Sequence, residues 1–195
     1  MIKHSRTQKR NELLLNMVGN KCPICKQGHL RASLVTHDLG RLLGMVQVKV
    51  ENMPALKCDR CGKITVTGPV IDGVSMLLAA HILSNPRIGP YEVRFLRKLL
   101  GDTQDEFADK LSVDRVTVNR WENSDGDIEG ITSEAIRLHS YLRLRGRSMV
   151  IDSIASALLS PKRGPARAKG ETPIKRRGNA GYALDGASIS AGIAA

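Results

Sequence analysis

Cys22-Pro-Ile-Cys25 and Cys58-Asp-Arg-Cys61 contain all four cysteines of this chain. Two Cys-x-x-Cys pairs are the ligand set of a structural zinc site. Four thiolates complete a tetrahedral shell, so no position is left where the metal holds water or polarises a substrate. The expected cofactor is one structural Zn2+ that builds a fold and catalyses nothing. Disulfides would need an oxidising compartment. The first twenty residues hold only the run Leu13-Leu14-Leu15, far short of a signal-peptide core or a membrane span, so a cytoplasmic protein with reduced thiols and no membrane association is expected. A dithiol redox centre would use one pair only, whereas one metal accounts for both. His29 and His37 lie near the first pair as alternative ligands, but a single histidine in a β-rich stretch is more often plain surface.

A second group of residues has types suited to reading nucleic acid, and its spacing is helical. Gly89-Pro90 opens a helix on which Val93, Leu96, Leu99 and Leu100 recur up to Gly101. Thr103 and Glu106 form a capping box, which starts a second helix over Gln104 to Leu111 with Phe107, Ala108 and Leu111 inward. A third helix begins with Asp114 as cap, and Val113 is placed to staple onto Val118. Two short helices joined by a tight turn make a helix-turn-helix. On the third helix Val118 and Trp121 share one face, so the opposite face carries Val116 and Arg120, flanked by Thr117 and Asn119. In a major groove, valine packs on a thymine methyl and arginine forks onto guanine. Gln104, at the amino end of the second helix, is placed for a phosphate.

Thr103-Gln104-Asp105-Glu106-Phe107-Ala108, Leu111-Ser112-Val113 and Val116-Thr117-Val118-Asn119-Arg120-Trp121-Glu122-Asn123 resemble the Xre/Cro repressor type of helix-turn-helix. The resemblance implies Arg115, Val116, Thr117 and Arg120 as base-edge readers, Gln104 as a phosphate contact, and an Arg97–Glu122 pair as a structural brace. Ser112 stands where that family usually has glycine, which implies a left-handed residue under some strain. With the cysteine module ahead of it and Asn52-Met53-Pro54-Ala55 before the second pair, the order is similar to that of the MqsA (YgiT-type) antitoxin family. That likeness implies a zinc domain that docks a toxin and a dimeric DNA-binding domain that represses its own operon. An additional basic segment before the first cysteine pair and about fifty residues after the family's usual end depart from the pattern.

Composition agrees with a DNA-directed protein. The chain has 195 residues, with 30 Lys and Arg against 19 Asp and Glu, a net charge of +11 that points to a polyanionic partner. One Trp, three Tyr and two Phe are too few for stacked platforms that hold single strands, so a duplex is favoured. Between the cysteine pairs, Leu30 to His37 and Leu42 to Val50 are expected as a hairpin turning at Asp38-Leu39-Gly40. Val70 to Leu83 is expected as a helix, as are 133–144 and 147–159, where Ile136, Leu142, Ile151, Ile154 and Leu158 pack within the domain or between subunits. The fold class is α+β: a basic extension over 1–19, a β-rich zinc domain with a capping helix over 20–86, an all-α helix-turn-helix domain over 87–160, and a disordered basic tail over 161–195. No nucleophile or acid–base pair is recognisable, so no enzyme is expected. The reading is a sequence-specific regulator that binds an inverted-repeat operator in double-stranded DNA as a homodimer, with a toxin protein as second partner. A solitary zinc-finger regulator without a toxin is the alternative, and an RNA-binding zinc ribbon a more distant one.

Overall fold

A computed structural model of the chain describes residues 17–154, 174–177 and 181–185. The fold is α+β, a small antiparallel sheet followed by a helical region. In chain order the first part is β1 (Leu30–Asp38), α1 (Gly40–Leu43), β2 (Gln47–Cys58) and β3 (Ile64–Thr65). There follow α2 (Gly68–Ser84), α3 (Pro90–Leu100), α4 (Gln104–Leu111), α5 (Arg115–Asn123), α6 (Gly130–Leu144) and α7 (Met149–Ser153). Among these residues no helix is long and apolar enough to cross a membrane.

β1 and β2 pair antiparallel from Leu30↔Cys58 to Asp38↔Lys49, and β3 adds to β2 at Leu56↔Thr65. The hairpin differs from its expected form at the turn. Residues 40–43 make a helical turn, and the second strand runs from Gln47 through Pro54 to the second cysteine pair. Asp38 causes the difference: its Oδ1 accepts from the amides of Gly40 at 2.8 Å and Val48 at 2.9 Å, pinning both ends of the connection. A Cβ on Gly40 would sit 2.8 Å from the Gln47 Cα, so only glycine admits this crossing. Leu39 and Met45 drop into the core instead of alternating along a strand. Further on, the register shifts between Val35 and His37, and Asn52, at φ 51°, is the left-handed residue of that bulge.

Within the basic tail, two short stretches join the same sheet. β5 (Gly181–Asp185) lies parallel to β2 from Gln47↔Gly181 to Glu51↔Asp185, and β4 (Ile174–Arg177) pairs antiparallel outside it. Their composition gave no sign of strands, because neither is long enough to show alternation; β2 supplies a free edge to pair with. The remainder of the tail, the extension over residues 1–16 and the expected helical stretch at 155–159, with Leu158, lie outside the described residues.

One apolar core serves both the sheet and the helices. Val48, Val50, Met53 and Ala55 of β2 pack in the same cluster as Val74, Leu78 and Ile82 of α2, Phe107 of α4, Val118 of α5, and Ile136, Leu144 and Ile151. α2 lies between the two halves: no residue from Val74 to Leu83 is exposed, as expected of a helix apolar on every side. The expected cap on the metal module is thus equally a core helix of the helical region. A smaller cluster joins Cys22 and Cys58 to Leu30 and Leu56.

Candidate metal centre and DNA-binding face

The two cysteine pairs meet because β1 leaves the first and β2 enters the second, with Leu30 opposite Cys58. Each pair closes in the same way: Lys26 N donates to Cys22 O at 2.8 Å, and Gly62 N donates to Cys58 O at 3.1 Å. The residue after each second cysteine is left-handed, Lys26 at φ 58° and Gly62 at φ 68°. Gly28 gives its amide to Cys25 and space to Cys58: a Cβ there would meet the Cys58 Sγ at 2.6 Å.

All four sulfurs lie within 4.8 Å of one another. Cys22 and Cys61 are 3.8 Å apart, and Cys25 and Cys58 are 3.7 Å apart. The edge of a tetrahedron with metal–sulfur bonds of about 2.3 Å is about 3.8 Å, so the residues fit a tetrahedral metal ion. Amides face the sulfurs: Gly28 N donates to Cys25, and Arg60 N and Cys61 N donate to Cys58, each at 3.4 Å. The amides of Gly28 and Gln27 lower the Cys25 thiol to about 6, and those of Cys25 and Ile24 lower Cys22. Cys61 is pushed up to about 11, since burial and hydrogen bonds to its three neighbours outweigh the help of the Lys63 amide. Four thiols this close cannot all ionise by themselves; a cation among them removes the conflict. His29 and His37 are exposed and outside the cluster. Asp59, which the sequence did not mark, accepts from His29 N at 2.8 Å and lies 3.4 Å from Arg31, tying the second pair to β1.

The helix-turn-helix is built as its sequence dictates. Thr103 N donates to Glu106 Oε2 at 2.7 Å and Glu106 N donates to Thr103 Oγ1 at 3.2 Å, the reciprocal bonds of a capping box. α4 ends at Ser112, left-handed at φ 55°, ψ 44°. Asp114 stands at the N-cap of α5, but its carboxylate makes no capping bond there. The amides of Thr117 and Val118 donate to its backbone carbonyl instead.

Val118 is buried and Trp121 half-buried against the core. This turns Arg115, Val116, Asn119 and Arg120 outward, with Thr117 half-buried beside them. Val116 is 76% exposed. Arg115 has only a loose partner, Asp105 at 3.6 Å. Gln104 begins α4, yet its Nε2 donates to Glu122 Oε2 at 3.0 Å, so its side chain is partly engaged within the protein.

Glu122 anchors α5 from behind. Arg97 donates Nε to Oε1 at 2.5 Å and Nη2 to Oε2 at 3.1 Å, a bidentate pair. The Glu122 side chain is only 2% exposed and that of Arg97 11%. Burial works to raise the Glu122 carboxyl, but Arg97 and Gln104 outweigh it and hold it below its ordinary value. Arg94 was not singled out, although it lies one turn before Arg97 on the same face; it donates to Glu122 O at 3.0 Å and Asn123 Oδ1 at 2.9 Å. A second buried acid, Asp102, joins Lys110 at 2.6 Å and Arg143 at 3.2 Å, linking α4 to α6.

No curated protein matches the chain. Residues 93–136, from α3 into α6, match the family model described as Helix-turn-helix, which makes this segment a DNA-binding unit and supports a transcriptional regulator that binds double-stranded DNA.

Proposed function

We propose that the protein is a homodimeric repressor that reads an inverted-repeat operator with α5 and carries one structural Zn2+ on Cys22, Cys25, Cys58 and Cys61. The outward face of α5 carries this reading: an apolar Val116 beside the cations of Arg115 and Arg120 is a good match to base edges. In the proposed complex Arg120 forks onto a guanine, Val116 packs on a thymine methyl, Arg115, Thr117 and Asn119 flank them, and Gln104 lies at the backbone. One such helix reads only a few base pairs, so a second copy is needed for useful specificity, with half-site centres about 10 base pairs apart. The exposed line Ile131, Leu138 and Leu142 on α6 favours pairing of this kind.

The regulator also acts as an antitoxin, a reading that rests on the resemblance in module order. It is supported by the exposed Ile24, Leu34, Leu42 and Val46 on the cysteine-bearing half, which suit a protein partner better than water. Cytoplasmic residence follows from the same proposal.

The test is a binding series on duplexes selected from random sequence. Arg120→Ala should lose about 1–3 kcal/mol of discrimination between the selected site and random DNA, while Gln104→Ala weakens both alike. Wild-type affinities for both DNAs with Arg120→Ala would reject the groove-facing assignment. Protection of a single asymmetric half-site by one chain would reject the dimer. For the antitoxin, co-expression with the reading frame beside the gene should yield a stable complex and relieve growth arrest; a neighbour with neither effect leaves a solitary regulator.

A further inference from the structure

The cysteine cluster lies far from α5 in sequence, yet a continuous series of packed elements joins them. β2 ends in the cluster at Cys58, and its Val48, Val50, Met53 and Ala55 form one wall of the core around α2. α2 is apolar on every side, so that wall cannot be withdrawn without exposing a helix that the helical region also uses. On its other sides α2 meets α3, α6 and α7, and the core continues to Phe107, Val118 and the partly buried Trp121.

The connection from α2 to α3 has no slack to absorb a disturbance. Arg137 Nε donates to Leu83 O at 2.7 Å and Ser133 Oγ donates to Pro86 O at 2.7 Å. Ile88 and Ile128 exchange backbone bonds at 3.1 Å and 2.8 Å. α6 thereby holds the end of α2 and the start of α3 in one place. Coupling between distant sites needs such a chain of packed groups with something at one end to bias it. At the cluster end the bias is a clamp, because an ion held by both cysteine pairs ties the start of β1 to the end of β2, where Leu30 lies opposite Cys58.

We infer that metal occupancy of the cysteine cluster controls the ordering of α4 and α5, so that the cluster is a metal-responsive control on DNA binding and not a self-contained staple. This rests on the metal reading of the cluster proposed above. No ligand needs to touch the DNA-binding face. The metal stabilises the folded sheet, the sheet completes the core around α2, and α2 supports the two helices that present the face.

Trp121, the single tryptophan of the chain, lies on α5 and reports the distant end directly. Full-length protein is loaded with Zn2+, its metal content measured by elemental analysis, and the metal withdrawn with a chelator. Trp121 emission and amide exchange across the chain are followed throughout. The expected result is a red shift of Trp121 and loss of protection in α4 and α5 in step with metal release, both reversed by added Zn2+, with a parallel loss of affinity for a random-sequence duplex. Cys61→Ser, which removes the exposed ligand and no core atom, should give the same signature in reduced form. Faster exchange in β1 and β2 with Trp121, α4 and α5 unchanged overturns the inference while leaving the metal reading intact. Absence of metal from the loaded protein overturns the metal reading and the inference with it.

Discussion

Glu122 shows how much one side chain is made to hold. It is buried, bonded twice to Arg97 and once to Gln104, and its backbone carbonyl is taken by Arg94. Removing one partner of such a buried pair costs about 3 kcal/mol, even though Arg94 Nε, 3.5 Å from Glu122 Oε2, stays beside the acid when Arg97 is lost. Glu122→Gln and Arg97→Met should each destabilise by about that amount, and the double variant by much less than the sum, as read by urea unfolding. Additive costs would show that the two side chains act separately. The same group gives a pH dependence whose sign is fixed. Its folded carboxyl lies below the ordinary value of 4.5, so the stabilisation is complete above about pH 4.5 and is lost as pH falls through the folded value. Glu122→Gln should therefore flatten the acid limb of the stability profile, while Glu134→Gln on the exposed side of α6 leaves it unchanged. This brace was visible beforehand only as a resemblance to a repressor family. Arg94 could have been found from its spacing to Arg97, but Asp59 had no signal, since a single acid between two cysteines says nothing of the strand that will lie beside it.

Among the elements, the helices were legible and the hairpin was only partly so. α4 matches its expected limits, residue for residue, because the capping box at Thr103 and the stop at Ser112 are both local. β2 did not match, because its start depends on Asp38 bonding to Val48 across the connection, a contact no alternation pattern records. α2 was recognisable as a helix, but its role was not. A run apolar on every side reads equally as a cap on one module or as the centre of a larger core, and only the packing distinguishes them. Leu78, fully buried on α2, decides the matter experimentally. Leu78→Ala should cost about 2–5 kcal/mol and lower the melting of sheet and helices together. Two separate transitions, one by far-ultraviolet circular dichroism and another by Trp121 fluorescence, would contradict a shared core.

For the whole molecule, charge and connectivity combine. The net charge of +11 favours any duplex before a sequence is read, and the cations between Lys162 and Arg177 add to that general attraction. A chain with Gln in place of Lys162, Arg163, Arg167 and Lys169, which keeps β4 and β5, should bind random duplexes more weakly and with a shallower dependence on salt, yet keep its ratio of selected-site to random affinity. Unchanged salt dependence would assign the tail no part in DNA contact, and a collapsed ratio would give it a part in reading sequence. The bolted connection between α2 and α3 has a different consequence, for the exchange of parts between genes. Two domains on a loose tether can be recombined as cassettes, each carrying its own core across the join. Here a cut anywhere from Val66 to Pro90 would divide one core and leave α2 with half its neighbours on either product. Hybrids of this protein should therefore be viable only where the cysteine-bearing half and its helix-turn-helix are inherited together, so that whatever each half does is passed on as a single linked trait.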